Sequence, residues 1–298
     1  MRDSVTKDPL RDVKIQKRER GTLWERVRPG SLLMLIATCA GALLVLSPFL
    51  LVVLNAFKSP ADYSTRGPLA LPEKFDLGPL QSYLDIIDFP KALTNSIVIS
   101  VVVAVVGVLI SMLAAYAIGI GRIKMRTGVL AVLLLGTMIP QEALIYPLFY
   151  IAQATGTLNT IWSVIIIFIV LQGAFGTYLL AGVLGTFPRE LLEAARVDGA
   201  SRWRILWTVV VPVIRPTLAV LMVFFFIWTW NEFYIPVVLL NSQDAQTIPI
   251  ALATLRGQYT VDMTVVNAGS FLSLLPTIVF FLIFQKTLSN GVTAGAVK

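Results

Sequence analysis

The sequence predicts an all-α, polytopic membrane protein with about six transmembrane helices. Three observations carry this. Of 298 residues, 56% are hydrophobic and only 14% charged, where a soluble domain carries roughly 25% charged residues. The mean hydropathy is +0.80. The charges are absent from long stretches rather than thinned evenly, which points to lipid as the solvent. A barrel would show short alternating strands instead.

The apolar stretches come in order along the chain. Residues 31–57 carry no charge. The run starts too far along the chain, and is too long, for a cleavable signal. Cys39 within it, the single cysteine, is expected to be a small buried residue. A second span lies between Lys91 and Arg122. Residues 127–188 hold Glu142 as their one charge and are long enough for a third and a fourth span, interrupted near 153–160. A fifth is expected over 209–240 and a sixth over 263–284. Each exceeds or approaches the 20 or so residues that cross the hydrocarbon core. Pro48, Pro140, Pro212, Pro216, Pro236 and Pro276 interrupt these runs, and Ala115 with Gly119 is a small pair that lets helices approach closely. The organisation is a polar tail (1–30), a first span with an external loop (31–89), the main span-bearing domain (90–286) and a C-terminal tail (287–298). The first tail has nine Lys/Arg against five Asp/Glu. It reads as an amphipathic helix over 8–28 or as a solvated segment.

Basic residues orient the spans. With the N-terminus inside, nineteen of the 24 Lys/Arg fall on the inner side and five, Lys58, Arg66, Lys74, Lys91 and Arg256, on the outer. Both termini are therefore expected in the cytoplasm of a multi-pass protein of the plasma (inner) membrane.

No histidine is present, which removes the commonest general base and zinc ligand. There is no P-loop, no dinucleotide fingerprint at Gly119-Ile120-Gly121 (Lys124 stands where a glycine is needed), no metal-ligand cluster and no basic recognition helix. The chain is not expected to be an enzyme, to hold a cofactor or to bind nucleic acid.

The segment Thr186 to Ser201 differs from the other connections. Pro188 suits a first helical turn, residues 189–198 contain good helix formers, Glu193 is spaced to pair with Arg189 or Arg196, Gly199 can end the helix in a left-handed conformation, and Ser201 can cap the start of the next one. The spacing predicts a helix about 15 Å long outside the membrane. Ala194 and Ala195 leave it a small, uncharged surface that a larger protein can approach. A plain linker helix is the alternative.

Here the residues carry a resemblance. Glu193-Ala194-Ala195, three residues, Gly199, nine residues and Val209-Val210-Val211-Pro212 resemble the EAA loop of ABC importer permeases, E-A-A-x3-G-x9-I-x-L-P, with Val209 and Val211 in place of Ile and Leu. Leu93-Thr94-Asn95-Ser96 and Trp228-Thr229-Trp230-Asn231-Glu232-Phe233 are similar to the sugar-importing branch, and the chain's end from Asn290 is similar to the tail of maltose-type permeases. The resemblance implies a type I ABC importer permease fold, with a coupling helix near 189–200 presenting Glu190, Leu192, Glu193, Ala194, Ala195, Asp198, Gly199 and Ala200 to an ATPase. It implies that Asn290, Gly291, Thr293 and Gly295 also reach the ATPase. The implied partners are a second, homologous permease in a heterodimer, two copies of the ATPase (which would hold ATP and magnesium) and an extracytoplasmic solute-binding protein. The implied cargo is a di- or oligosaccharide, moved by alternating access.

Charged groups inside a bilayer face a bundle interior or a water-filled path. Asn95, Gln141, Glu142, Trp228, Trp230, Asn231 and Glu232 are accordingly candidates for a translocation path, with helix packing or an interfacial belt as the structural alternative. Three other readings stay open: a permease for a non-sugar solute such as glycerol phosphate, an ion-coupled secondary transporter using Glu142 and Glu232, and a membrane enzyme built on that carboxylate pair.

Overall fold

The computed structural model describes the backbone of residues 29–121, 123–255 and 262–296, and the side chains of 32–121, 123–255 and 262–286. Residues 1–28 of the polar tail, and Arg122, Arg256 and Lys298 of the charge count, lie outside the described residues. The described residues before and after the Leu50–Leu51 link form two units.

The first unit is the greater part of α1 (Pro29–Ala56). Its side chains are almost all exposed, including Cys39, which was expected to be buried. An apolar helix with exposed side chains needs lipid or another protein around it.

The second unit continues through α2 (Pro60–Arg66), α3 (Gly78–Ile86), α4 (Phe89–Gly119), α5 (Arg126–Thr137), α6 (Gln141–Ala154), α7 (Ile161–Gly185), α8 (Arg189–Val197), α9 (Arg202–Ile205), a π-helical turn (Leu206–Val210), α10 (Val211–Asn231), α11 (Tyr234–Leu239), a short 3₁₀ turn (Gln243–Ala245), α12 (Ile248–Thr254) and α13 (Met263–Ala296). Among the described residues there is no strand. Among the described residues five helices are long and apolar enough to cross a membrane, and a bent pair makes a sixth if it counts as one span.

That pair corrects the expected third span. α5 and α6 meet at 94° across the break before Gln141. Pro140 lacks an N–H and keeps Ile139 out of the α region, so the helix stops and restarts. The fifth span also differs. It runs over Arg202–Asn231 rather than 209–240. Ser201 starts it, its side chain accepting from the Arg204 N–H at 3.3 Å. Pro236 ends it, because its ring would collide with the Glu232 carbonyl in a continuous helix. Within this span the Val211 N–H donates five residues back to the Leu206 carbonyl, the signature of a π turn. Pro212, whose ring crowds the carbonyl four residues before it, accounts for the widening. The last span continues unbroken as helix to Ala296, so the backbone of 287–296 prolongs α13.

The centre of the unit is the crossing of α4, α7 and α10. Gly107, Ser111, Ala115 and Gly119 recur every four residues and form one stripe along α4. The buried Phe225 ring of α10 wedges between Gly107 and Gly176, and the Ser111 hydroxyl donates to the Gly107 and Gly173 carbonyls at 2.7 and 3.2 Å. A Cβ on Gly176 would lie 2.5 Å from Ser111 Oγ and 2.8 Å from Phe225 Cζ. Gly176→Ala is expected to destabilise by about 1–3 kcal/mol through overpacking, read as a lower melting midpoint in detergent. Gly182→Ala, with nothing within 4 Å of the new Cβ, is the matched control.

The connection after α1 is closed by Lys58. This side chain is fully buried and donates to the Gly67 and Ala70 carbonyls at 3.0 and 2.6 Å. A buried ammonium without such acceptors would be expensive.

Candidate functional site

α8 is fixed to the bundle by one face and open on the other. Leu192 is buried in the cluster that also holds Ile118, Leu184, Ile205, Leu206, Val210 and Phe187, and Ala195 and Ala200 pack against it. The opposite face carries Leu191, Ala194 and Val197, spaced three apart and exposed, Val197 at 87%. Glu190, Glu193, Asp198 and Gly199 are exposed around that stripe. The geometry therefore divides the residues expected to face a partner. Glu190, Glu193, Ala194, Asp198 and Gly199 are accessible, whereas Leu192 is buried and Ala195 and Ala200 are turned toward the chain's own core. Among the described residues no ion pair joins Glu193 to Arg189 or Arg196; exposed helical pairs gain too little to hold both side chains.

The helix ends as its sequence requires. Gly199 has φ +73°, the Gly199 N–H donates to the Arg196 carbonyl and the Ala200 N–H to the Ala195 carbonyl, both at 3.0 Å. This is a Schellman closure, which a glycine adopts without a Cβ penalty. After it the chain re-enters helix at Ser201 and passes straight into the membrane. α8 is thus joined to α4, α7 and α10 by packed side chains. Asn290, Gly291, Thr293 and Gly295 lie on the helical backbone of α13, and their side chains lie outside the described residues.

The residues expected along a path fall into two groups. Glu142 is exposed in the first turn of α6, just past the α5–α6 break, with Gln141 half-buried before it. Glu232 is half-buried just after α10 ends. The two carboxylates lie within electrostatic reach of each other. Both sit at helix breaks, and not within continuous spans as expected from the charge-free runs around them. Glu232 Oε1 accepts the N–H groups of Phe233 and Tyr234 at 3.2 and 3.1 Å, satisfying donors that the break exposes. Asn231 is exposed, and Trp228 stands edge-on to Phe175 and Phe224 at 6.2 and 5.8 Å. Phe224, Trp228 and Asn231 share one face of α10 by their spacing. Phe224 and Phe175 are additions that the structure makes to this group; an aromatic one turn before Trp228 is the signal the sequence offers for the first of them.

Two residues belong elsewhere. Asn95 is buried, its amide donating to the Asp244 and Gln246 carbonyls at 2.8 and 2.9 Å, so it fastens α4 to the 3₁₀ turn. Trp230 is buried against Phe226, rings 5.7 Å apart and 16° from parallel. Both were expected to line the path, and both are spent on packing. Gln172, a further polar residue within a span, is buried in α7 and donates to Thr229 Oγ1 at 2.8 Å.

A bundle of helices able to cross a membrane, with an external helix packed on its core and offering an apolar stripe outward, is the arrangement of a polytopic membrane protein with a surface open to a partner. Residues 107–292 match the family described as binding-protein-dependent transport system inner membrane component, and the chain belongs to that family. It is 34% identical over 219 residues to the lactose transport system permease protein LacG of Rhizobium radiobacter, covering 74% of this chain and 79% of that one. It is 30% identical over 274 residues to the trehalose/maltose transport system permease protein MalG of Thermococcus litoralis, covering 90% and 96%. Its fold is similar to a chain in the crystal structure of a bacterial ABC transporter involved in the import of the acidic polysaccharide alginate. The TM-score is 0.74 at 22% identity, over 86% of this chain and 95% of that one.

Proposed function

We propose that this chain is the permease subunit of an ATP-driven sugar importer, with a di- or oligosaccharide as cargo. The observation that carries the proposal is α8: buried at Leu192, open at Leu191, Ala194 and Val197, and joined by a short turn at Gly199 to the helix that starts a membrane span. In this reading the open stripe docks on an ATPase subunit. ATP and magnesium belong to that subunit, of which there are two copies. A second, homologous permease completes the path, a solute-binding protein delivers cargo from outside, and both termini are cytoplasmic. Relatives named for lactose and for trehalose/maltose support the sugar class. The aromatic face of Phe224 and Trp228 suits the apolar faces of sugar rings. Co-purification of the tagged chain from its native membrane tests the reading: a P-loop ATPase and a second permease in the eluate are expected, and a chain that elutes alone yet supports uptake would overturn it.

Carboxylates near two helix breaks are what an ion-coupled transporter would also display. The cap accounts for Glu232 without ion coupling. Glu232→Gln keeps the accepting oxygen and is expected to leave uptake within about twofold. Abolished uptake with normal expression would make the charge itself essential.

A further inference from the structure

A cavity of about 650 Å³ opens between the end of α4, the α8 helix and the start of α9. Its wall is apolar, formed by Leu113, Ala117, Ile205 and Leu206. Leu113 lies six residues before the end of α4, about 9 Å along the helix axis, so the slot reaches into the membrane-crossing part of the bundle. Its mouth is basic: Arg196 and Arg202 line it, and among the described residues neither has a carboxylate within ion-pair distance. Both guanidinium groups lie within electrostatic reach of the Tyr116 hydroxyl, which donates to the Arg202 carbonyl at 2.9 Å and holds that side of the mouth in place. Beside the mouth Trp203 and Trp207, one helical turn apart, are exposed at 63% and 48%. Indole rings favour the membrane–water boundary.

An apolar slot beside a membrane-spanning helix, two guanidinium groups without an ion-pair partner among the described residues and tryptophans beside them are complementary to one kind of molecule. We propose that the slot holds an anionic phospholipid of the leaflet on the α8 side, its phosphate between Arg196 and Arg202 and one acyl chain along Leu113, Ala117 and Leu206. Guanidinium groups suit this role because their planar donors meet phosphate oxygens in pairs. The lipid would touch α4, α8 and α9 together, and so bear on the element through which the ATPase is read to act. Only that last consequence rests on the function proposed above.

The test is native mass spectrometry of the purified complex, released from nanodiscs of phosphatidylcholine with and without phosphatidylglycerol. The wild type is expected to keep a phosphatidylglycerol adduct on this subunit under activation that strips phosphatidylcholine. Two basic groups favour an anionic lipid by roughly 30-fold, so Arg196→Gln with Arg202→Gln should lose about that preference. Ala117→Phe fills the slot and leaves both charges, and it should lose the adduct as well. Equal retention of the two lipids, or variants that retain as the wild type does, would overturn the proposal. So would a photoreactive group at position 117 that labels a partner polypeptide instead of lipid. None of these readouts needs transport. Loss of the ATPase with the adduct still present would sink the importer reading alone.

Discussion

Ala194→Arg is expected to strip the ATPase from the complex while leaving the permease folded. Ala194 sits in the middle of the outward stripe of α8, flanked by Leu191 and Val197, and is exposed. Arginine is nearly as good a helix former as alanine, and an exposed site tolerates it within about 0.5 kcal/mol. The melting midpoint of the isolated chain should therefore hold. At a docked surface the same substitution drives a long charged side chain into the centre of the contact, where losses of about 2 kcal/mol or more are usual, roughly 30-fold in affinity. The amount of ATPase that elutes with the tagged chain measures it. Full co-elution with normal uptake would place the docking surface elsewhere.

Leu192→Ala is expected to have the opposite signature. Leu192 is 7% exposed and belongs to the buried cluster that also holds Ile118, Leu184, Ile205, Leu206 and Val210. Truncation there costs about 2–5 kcal/mol, because the neighbours refill the space only in part. The outward face is untouched, so the ATPase should still co-elute. What is lost is the grip of α8 on the spans: ATP hydrolysis should persist while binding-protein-dependent uptake falls by an order of magnitude or more. Measuring both rates in the same vesicles separates this from simple unfolding, which would remove both. A variant that keeps uptake in proportion to hydrolysis would show that motion reaches the spans by another route.

Much of this arrangement was legible in the sequence, and the rest was not, for identifiable reasons. The spans followed from charge-free length, and the ends of α8 followed from Pro188, Gly199 and Ser201, whose local chemistry depends little on distant residues. The two faces of α8 were harder. Leu192 with Ala195, and Leu191 with Ala194 and Val197, are both apolar stripes at helical spacing, and only the packed bundle decides which turns inward. Polar residues in the spans suggest a path because burial without a partner is costly. Asn95 and Glu232 meet that cost with backbone groups, Asp244 and Gln246 for one and Phe233 and Tyr234 for the other, and such partners are invisible to spacing. Pro140 and Pro236 signalled interruption, but no property of a single proline gives a bend of 94°.

The π turn at Leu206–Val210 sets the phase between the loop and the span it feeds. In a helix each residue advances the side chains by about 100°. A turn that holds one residue more than its neighbours therefore rotates everything after it by that amount relative to everything before. With α8 and α9 held by their own caps, deleting a single residue between Leu206 and Val210 would leave the loop intact and swing Phe224, Trp228 and Asn231 about a quarter of a turn or more around the axis of α10. The direction in which Phe224, Trp228 and Asn231 face is thus set some twenty residues earlier by how many residues are fitted into one turn.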